Sequence, residues 1–424
     1  MTKFTDLGLS DQAIDALVRK GFEEPTPVQI KTIPAILTGQ QDLVTQAQTG
    51  TGKTAAFGLP LLELLNPKSR AVQALVLAPT RELAIQVADE INSLRGQRSL
   101  SIVPIYGGQS IDIQLRSLRK GVSIVVGTPG RVLDHLRRGS LDLEQIKFFI
   151  LDEADEMLNM GFLDEVQEIM DQCPADKRTM LFSATMPQEV LKIAKKYMGD
   201  YQVIKAASKQ LTTEQTDQIY FEVAASDKFE ALCRIIDMEE DFYGLVFTRT
   251  KVEADTVAQR LLERGYDADA LHGDISQSLR EKILDKLKKK LITTLVATDV
   301  AARGIDVHNL SHVINYDLPH DSESYVHRVG RTARAKSTGV ALTFISDQEM
   351  DKFGHIEKLI ETTVFKSPLP DGFEPGPEYN PEIRGKRRFG KGGGGGRKGG
   401  GSKGGGGRKG GSYKGGSRSQ APKA

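Results

Sequence analysis

Cysteine is scarce: Cys173 and Cys233 are the only two in 424 residues. Two are too few for a disulfide framework and fit no metal-ligand spacing, so both read as small buried residues in a reducing compartment. No apolar run approaches the roughly 18 residues needed to cross a bilayer, and the opening MTKFTDLGLS lacks the charged-then-apolar layout of a secretion signal. No membrane partner is expected, and a cytoplasmic site is. Acids are missing altogether from Arg384 onward, where 13 Lys and Arg stand; residues 1–383 hold the other 44 basic side chains against 56 acidic ones, a net charge of −12. An acid-free basic tail points to a polyanion, nucleic acid rather than membrane because no amphipathic apolar face accompanies it. The tail has no Arg-Gly-Gly triplet, and Phe389 and Tyr413 are its only aromatics, so phosphate attraction rather than stacking would hold the partner.

What the chain does contain is alternation. Hydrophobic content of 39% and charged content of 27% read as soluble and globular, and the length suits two domains with extras. Ser10 can cap a helix with apolar positions Ile14, Leu17 and Val18; Thr80 caps one carrying Leu83, Val87, Ile91 and Leu94; Ser276 caps one carrying Leu279, Ile283 and Leu287. Between such segments lie short apolar runs: Ala74 to Ala78, Ser123 to Val126, Phe148 to Leu151, Met180 to Phe182, Leu245 to Phe247, Thr294 to Ala297, Val313 to Asn315 and Ala341 to Ile345. The expected class is α/β, two tandem domains, each a mostly parallel sheet flanked by helices. The polar stretch 206–216 is read as a linker between domains 1–205 and 217–368. Residues 369–424 are read as a tail, proline-rich and extended, then glycine-rich and disordered.

The chemistry starts at Ala47-Gln48-Thr49-Gly50-Thr51-Gly52-Lys53-Thr54, between the apolar Asp42-Leu43-Val44 and the helix-like Ala55-Ala56-Phe57. Strand, glycine-rich turn, Lys-Thr and helix form a phosphate cradle, with backbone N–H groups facing the anion and Lys53 adding charge. Ala47 stands where the general pattern has Gly. A neighbouring strand, Phe148 to Leu151, ends in Asp152-Glu153-Ala154-Asp155, which places a metal carboxylate beside the cradle.

These motifs, with Gly21-Phe22-Glu23-Glu24-Pro25-Thr26-Pro27-Val28-Gln29, Pro79-Thr80-Arg81-Glu82-Leu83, Thr128-Pro129-Gly130-Arg131, Ser183-Ala184-Thr185, the run Ala297 to Asp306 and the run His327 to Arg334, resemble DEAD-box RNA helicases in family order over residues 4–365. The resemblance implies two RecA-like domains with ATP, Mg²⁺ and RNA at the cleft between them. Lys53 would contact the β- and γ-phosphates, Thr54 and Asp152 would hold Mg²⁺, and Glu153 would orient or deprotonate the attacking water. Thr49, Gly50, Thr51, Gly52, Gly304 and Asp306 would face the nucleotide. Gln29 carries an amide matched to the adenine edge, and Phe22 would stack on the base. Arg331 and Arg334, three apart, resemble arginine fingers supplied by the second domain. Asp155, Ser183, Thr185 and His327 resemble the relay that couples ATP to RNA. RNA contacts, mainly to the backbone, would come from Pro79, Thr80, Arg81, Gly107, Gly108, Thr128, Gly130, Arg131, Arg249, Gln277, Arg280, Thr298, Asp299 and Arg303. Asp299 near a 2′-hydroxyl would favour RNA over DNA. The implied function is RNA-stimulated ATP hydrolysis coupled to local unwinding of short duplexes. An ATP-gated RNA clamp or annealing chaperone is the alternative, and a DNA helicase a weaker one.

Overall fold

The computed structural model describes residues 2–48, 50–206, 216–302, 305, 310–332, 339–369, 372–373 and 376–380. Thr49, Arg303, Gly304, Asp306, Arg334, residues 207–215 of the expected linker and the tail from 381 lie outside the described residues. All described residues fall in one unit, Met1–Gly385.

Short runs of branched apolar residues become strands of two all-parallel sheets. The first contains β1 (Asp42–Gln46), β2 (Ala74–Leu77), β3 (Ile102–Ile105), β4 (Ile124–Gly127), β5 (Phe148–Leu151), β6 (Arg178–Ser183) and β7 (Tyr201–Lys205), in the order β3-β4-β2-β5-β6-β1-β7. The second contains β8 (Thr216–Glu222), β9 (Gly244–Thr248), β10 (Ala268–Leu271), β11 (Thr294–Thr298), β12 (His312–Asn315), β13 (Gly339–Ile345) and β14 (Phe365–Lys366), in the order β10-β11-β9-β12-β13-β8-β14. Adding seven to each strand of the first order gives the second, so the two lobes repeat one topology. Register is set by pairs such as Leu43 with Met180 and Leu75 with Phe149 in the first lobe, and Val246 with Ile314 in the second.

Central strands are buried on both faces, which makes them continuous apolar runs. Val76 and Ile150 pack to one side of the first sheet with Ile33 and Phe57; Leu75 and Phe149 pack to the other with Val132 and Ile169. The strands that sequence reading passed over lie mostly toward the margins. β3 carries Pro104 and is half-buried, as an edge strand can be; β7 and β14 close the opposite edges. β8 begins at Thr216, the last residue assigned to the linker.

The expected caps on Ser10, Thr80 and Ser276 are present, accepting from the N–H of Ala13, Leu83 and Leu279. Two stripe assignments need correction. In helix Asp11–Arg19 the buried face is Ala13, Ala16 and Leu17, one position round from the expected stripe, and Val18 is 68% exposed. In helix Gln277–Lys288 Ile283 and Leu287 are buried, while Leu279, in the first turn, is exposed. Cys233 is buried as expected, but Cys173 is only half-buried. Packing also continues past Pro368: Leu369 and Phe373 lie against the second lobe's core, and the Tyr379 ring sits 5.6 Å from Tyr220 and 5.4 Å from Phe353.

Most of the segments flagged for chemistry leave the carboxyl ends of strands, where open parallel sheets gather ligands. In the first lobe they follow β1 to β6 and in the second β9 to β12, with the Gly21 to Gln29 stretch the exception, ahead of β1.

Candidate functional site

β1 delivers the chain to the glycine-rich turn and to helix Lys53–Leu64. Gly50 and Gly52 hold φ of +81° and +85°, and a Cβ on Gly52 would lie 2.4 Å from Gln29 Nε2, so only glycine fits there. No side chain caps this helix, which leaves its first N–H groups to an anion. The turn is braced from behind. Thr51 Oγ1 donates to the Gln48 carbonyl at 2.7 Å, Thr26 Oγ1 donates to the Thr51 carbonyl at 2.7 Å, and Gln29 Nε2 donates to the Gly52 carbonyl at 3.2 Å. Gln29 Oε1 accepts from Thr26 N at 2.9 Å. The residue expected to read adenine therefore also holds the loop, with one N–H and one lone pair of its amide left over for a base. Thr26 was not foreseen as a site residue. Phe22 is half-buried, its ring edge-on to Phe4 at 6.2 Å.

Lys53 is buried and its Nζ has no hydrogen-bond partner. A buried ammonium demands a counter-charge, and the charge of Lys53 is felt by Asp152 and Asp155. Across from it Asp152 directly follows β5, 2% exposed; burial pushes its carboxyl up to about 6 against the pull of Lys53. Glu153 follows in the left-handed region, φ +53°, a conformation that costs of order 1–3 kcal/mol for a non-glycine residue. Strain at that one residue turns the strand end into helix Ala154–Asn159 and leaves the Glu153 carboxylate buried, with Oε2 unpartnered.

The expected relay residues do come together. Asp155 Oδ2 accepts from Thr185 N and Thr185 Oγ1, both at 2.7 Å, and Asp155 N donates to Ser183 Oγ at 3.2 Å. From the second lobe His327 Nε2 reaches within 3.4 Å of Asp155 Oδ2 and 3.3 Å of Glu156 Oε1. Burial alone would lower the imidazole, but Asp155, Glu156 and Glu153 outweigh it and push it up to about 8, and His327 in turn holds Asp155 well below the usual carboxylate range despite its burial. A histidine raised by association favours the associated form fully below about pH 6.5 and loses that contribution as pH climbs through about 8. The contact should thus weaken by on the order of 2 kcal/mol between pH 6.5 and 9. Fluorescence transfer between labels on the two lobes should show this, and His327→Gln should flatten the profile; an unchanged wild-type signal to pH 9 would count against it.

Arg331 lies just past helix Ser322–Val329, buried, with Nη1 3.5 Å from the Ile305 carbonyl, and lines a small cavity shared by His327 and the first lobe's Glu156. Arg328, unassigned from sequence, is the buried tie of this region. It grips Asp299 with Nε and Nη2 at 2.5 and 2.8 Å and donates to Asn315 Oδ1 and the Asp317 carbonyl. Asp299, expected at a ribose hydroxyl, is committed here to Arg328.

A cleft of about 560 Å³ runs between the lobes. Pro79, Thr80, Arg81, Gly107, Thr128, Gly130 and Arg131 line it from the first lobe, and Gln277 and Arg280 from the second. Gly108 backs Arg81, a Cβ there falling 2.3 Å from Nη1, while Arg249, Thr298 and Asp299 stand outside the lining. Two of the lining arginines bridge the lobes: Arg81 Nη1 donates to Gln277 Oε1 at 2.7 Å and Arg280 Nε to Glu82 Oε1 at 2.6 Å. Arg131 is steadied by the Gln109 carbonyl and by Gln114 Oε1, and buried Gln114 is fixed in turn by His135 and the Tyr106 carbonyl. Glu82, Gln114 and His135 were missed, since nothing in their local sequence signals a partner.

Residues 26–193 match the model for the DEAD/DEAH box helicase family and residues 227–336 that for the helicase conserved C-terminal domain. The chain is 50% identical to the DEAD-box ATP-dependent RNA helicase CshA of Geobacillus kaustophilus over 358 residues, 84% of this chain and 76% of that one. It is 52% identical to a probable ATP-dependent RNA helicase of Methanocaldococcus jannaschii over 363 residues, 86% and 97% of the two chains. Among solved structures, a DEAD box protein of the hyperthermophile Methanococcus jannaschii aligns at 51% identity over 87% of this chain and 99% of that one, with a TM-score of 0.52. Dbp5 of S. cerevisiae bound to RNA and ADP BeF3, only 31% identical over 88% and 97% of the chains, superposes better, with a TM-score of 0.80. On these matches, over motifs that the fold gathers at one edge of each sheet, the chain belongs to the DEAD-box ATP-dependent RNA helicases.

Proposed function

We propose that the chain binds single-stranded RNA across the cleft and hydrolyses ATP only when RNA holds the two lobes together, using the cycle to open short duplexes. The observation that carries this is the approach of His327 to Asp155 and Glu156, which brings the Arg331 end of the second lobe against the first lobe's acidic run. The turn at 50–54 would receive the phosphates, with Lys53 neutralising the γ-phosphate. Glu153 would take the proton released as water attacks the γ-phosphorus and the bond to the β-phosphate oxygen breaks. Arg331 would stabilise the charge that spreads over the transferring group, with Arg334 proposed beside it on sequence grounds.

Mg²⁺ fits the donor set. Asp152 and Thr54 offer hard oxygens beside the cradle, and among the described residues no three acidic, histidine or cysteine side chains form an all-protein cage, as suits an ion that takes most ligands from substrate and water. When bound, the ion supplies neutralisation of the β- and γ-oxygens.

Backbone-directed contacts would come from the lining's Thr80 and Thr128 and its arginines Arg81, Arg131 and Arg280. Arg81, Gln277, Arg280 and Asp299 would exchange their present protein partners for phosphate or ribose. The basic tail would serve as a nonspecific tether. Among the described residues no helix is long and apolar enough to cross a membrane, and with two free thiols we assign the cytoplasm, which recovery of the chain in a membrane or secreted fraction would contradict. Strand displacement separates unwinding from annealing. The full chain and a chain ending at Arg384 should both displace a short RNA strand with ATP, the truncated one with weaker RNA affinity at low salt. Loss of displacement with the tail would favour the chaperone reading.

A further inference from the structure

The second lobe repeats the first strand for strand, and its carboxyl edge carries a counterpart of the phosphate site. β1 leads into a helix whose first residue is Lys53; its counterpart β8 leads into helix Lys228–Met238, whose first residue is Lys228. Asp152 follows β5, and Asp317 follows the counterpart β12. Thr80 caps the helix after β2, and Thr250 caps the helix after β9 in the same way. Two differences separate the sites. Residues 223–227, Val-Ala-Ala-Ser-Asp, contain no glycine, so the backbone cannot close on a phosphate. And whereas Lys53 Nζ has no hydrogen-bond partner, the equally buried Lys228 Nζ lies 2.9 Å from Asp317 Oδ1 and 2.8 Å from Glu349 Oε2.

Glu349 sits among the donors of an anion site. Its Oε2 also accepts from Ser346 N at 3.3 Å and Ser346 Oγ at 2.7 Å, and its Oε1 from Leu318 N at 3.1 Å. The same two carboxylates hold one residue that reaches solvent. Arg249 Nη2 donates to Glu349 Oε1 at 2.9 Å and Arg249 N to Asp317 Oδ2 at 3.1 Å, while the Arg249 side chain is 48% exposed.

We propose that Lys228, Asp317 and Glu349 are a phosphate site turned inward, in which the Glu349 carboxylate occupies the anion's place and the closed network positions Arg249 against the RNA backbone. A buried ion network of this kind is often replaceable by apolar residues without loss of stability, so holding the fold does not account for it. The proposal rests on Arg249 as an RNA contact, and the test separates the two.

RNA and ATP KM values for the ATPase would be measured on Glu349→Ala, on the triple Lys228→Met, Asp317→Asn and Glu349→Leu, on Arg249→Ala, and on Arg249→Ala combined with Glu349→Ala. The triple removes Lys228 together with both of its carboxylate partners, so it guards against an unfolded single variant, and its melting temperature should stay near wild type. Glu349→Ala and the triple should raise RNA KM about tenfold, the worth of one charge-assisted contact, with ATP KM held within about twofold. Glu349→Ala should add nothing once Arg249 is already alanine, because both act through one guanidinium. A folded triple with wild-type RNA KM, equal rises in both KM values, or additive effects in the combined variant would overturn the positioning role alone. Wild-type RNA KM in Arg249→Ala would remove the RNA contact and the proposal together.

Discussion

Glu153→Gln lowers RNA-stimulated turnover of ATP by roughly 10²- to 10⁴-fold, the usual contribution of a positioned general base, and leaves ATP affinity nearly unchanged. The amide keeps the shape of the carboxylate and can still hold water, but it cannot accept a proton. Its position makes the effect specific. Glu153 is buried, strained at φ +53° and unpartnered at Oε2, between Asp152 and the acids that meet His327. A side chain kept dry on a strained backbone, with one carboxylate oxygen left without a partner, is poised for chemistry rather than for stability. Single-turnover hydrolysis with RNA saturating, alongside equilibrium binding of a nonhydrolysable ATP analogue, measures both quantities. Wild-type turnover, or ATP binding lost in proportion to rate, would assign Glu153 a structural role.

Arg331→Ala has the next largest expected effect, a fall in kcat of about 10³-fold or more with little change in ATP or RNA binding, as when an arginine finger is withdrawn. Arg331 belongs to the second lobe, so in the proposed role its charge would reach the transferring phosphoryl group only while the lobes are together. Its neighbour Arg328 makes the contrast instructive, since that guanidinium is saturated by Asp299, Asn315 and a carbonyl and is tied down inside its own lobe. Among the described residues, Arg331 makes the 3.5 Å approach to the Ile305 carbonyl and no other hydrogen bond. Lysine at 331 should not restore the rate, because a point charge cannot bridge two equatorial oxygens as a planar fork does. Stopped-flow phosphate release on Arg331→Ala and Arg331→Lys tests both statements; a deficit in binding rather than in rate would place Arg331 outside the reacting centre.

Much of this site could be read from the sequence because its parts are local. The cradle at 47–54 and the acids at 152–155 each sit on a strand end and the following turn, so a few adjacent residues specify both geometry and chemistry. The central strands were legible for a similar reason, burial on both faces leaving an unbroken apolar run. What could not be read joins residues far apart in the chain. The pairs Arg81 with Gln277 and Glu82 with Arg280 span 196 and 198 positions, and Lys228 reaches Glu349 over 121. No spacing rule links such partners until the topology sets them on one edge. The double duty of Gln29 was hidden for a related reason, since its partner Gly52 belongs to another motif. Marginal strands such as β3 and β10 were passed over because half-buried or polar-interrupted runs of four residues carry too little periodicity.

The account turns on one dependence, that RNA assembles the ATP site by holding the lobes together. Steady-state ATP hydrolysis by the full chain, titrated with single-stranded RNA and separately with DNA of the same sequence, measures it directly. Turnover should be slight alone, rise steeply and saturate with RNA, and respond little to DNA. Equal turnover without RNA would contradict the account.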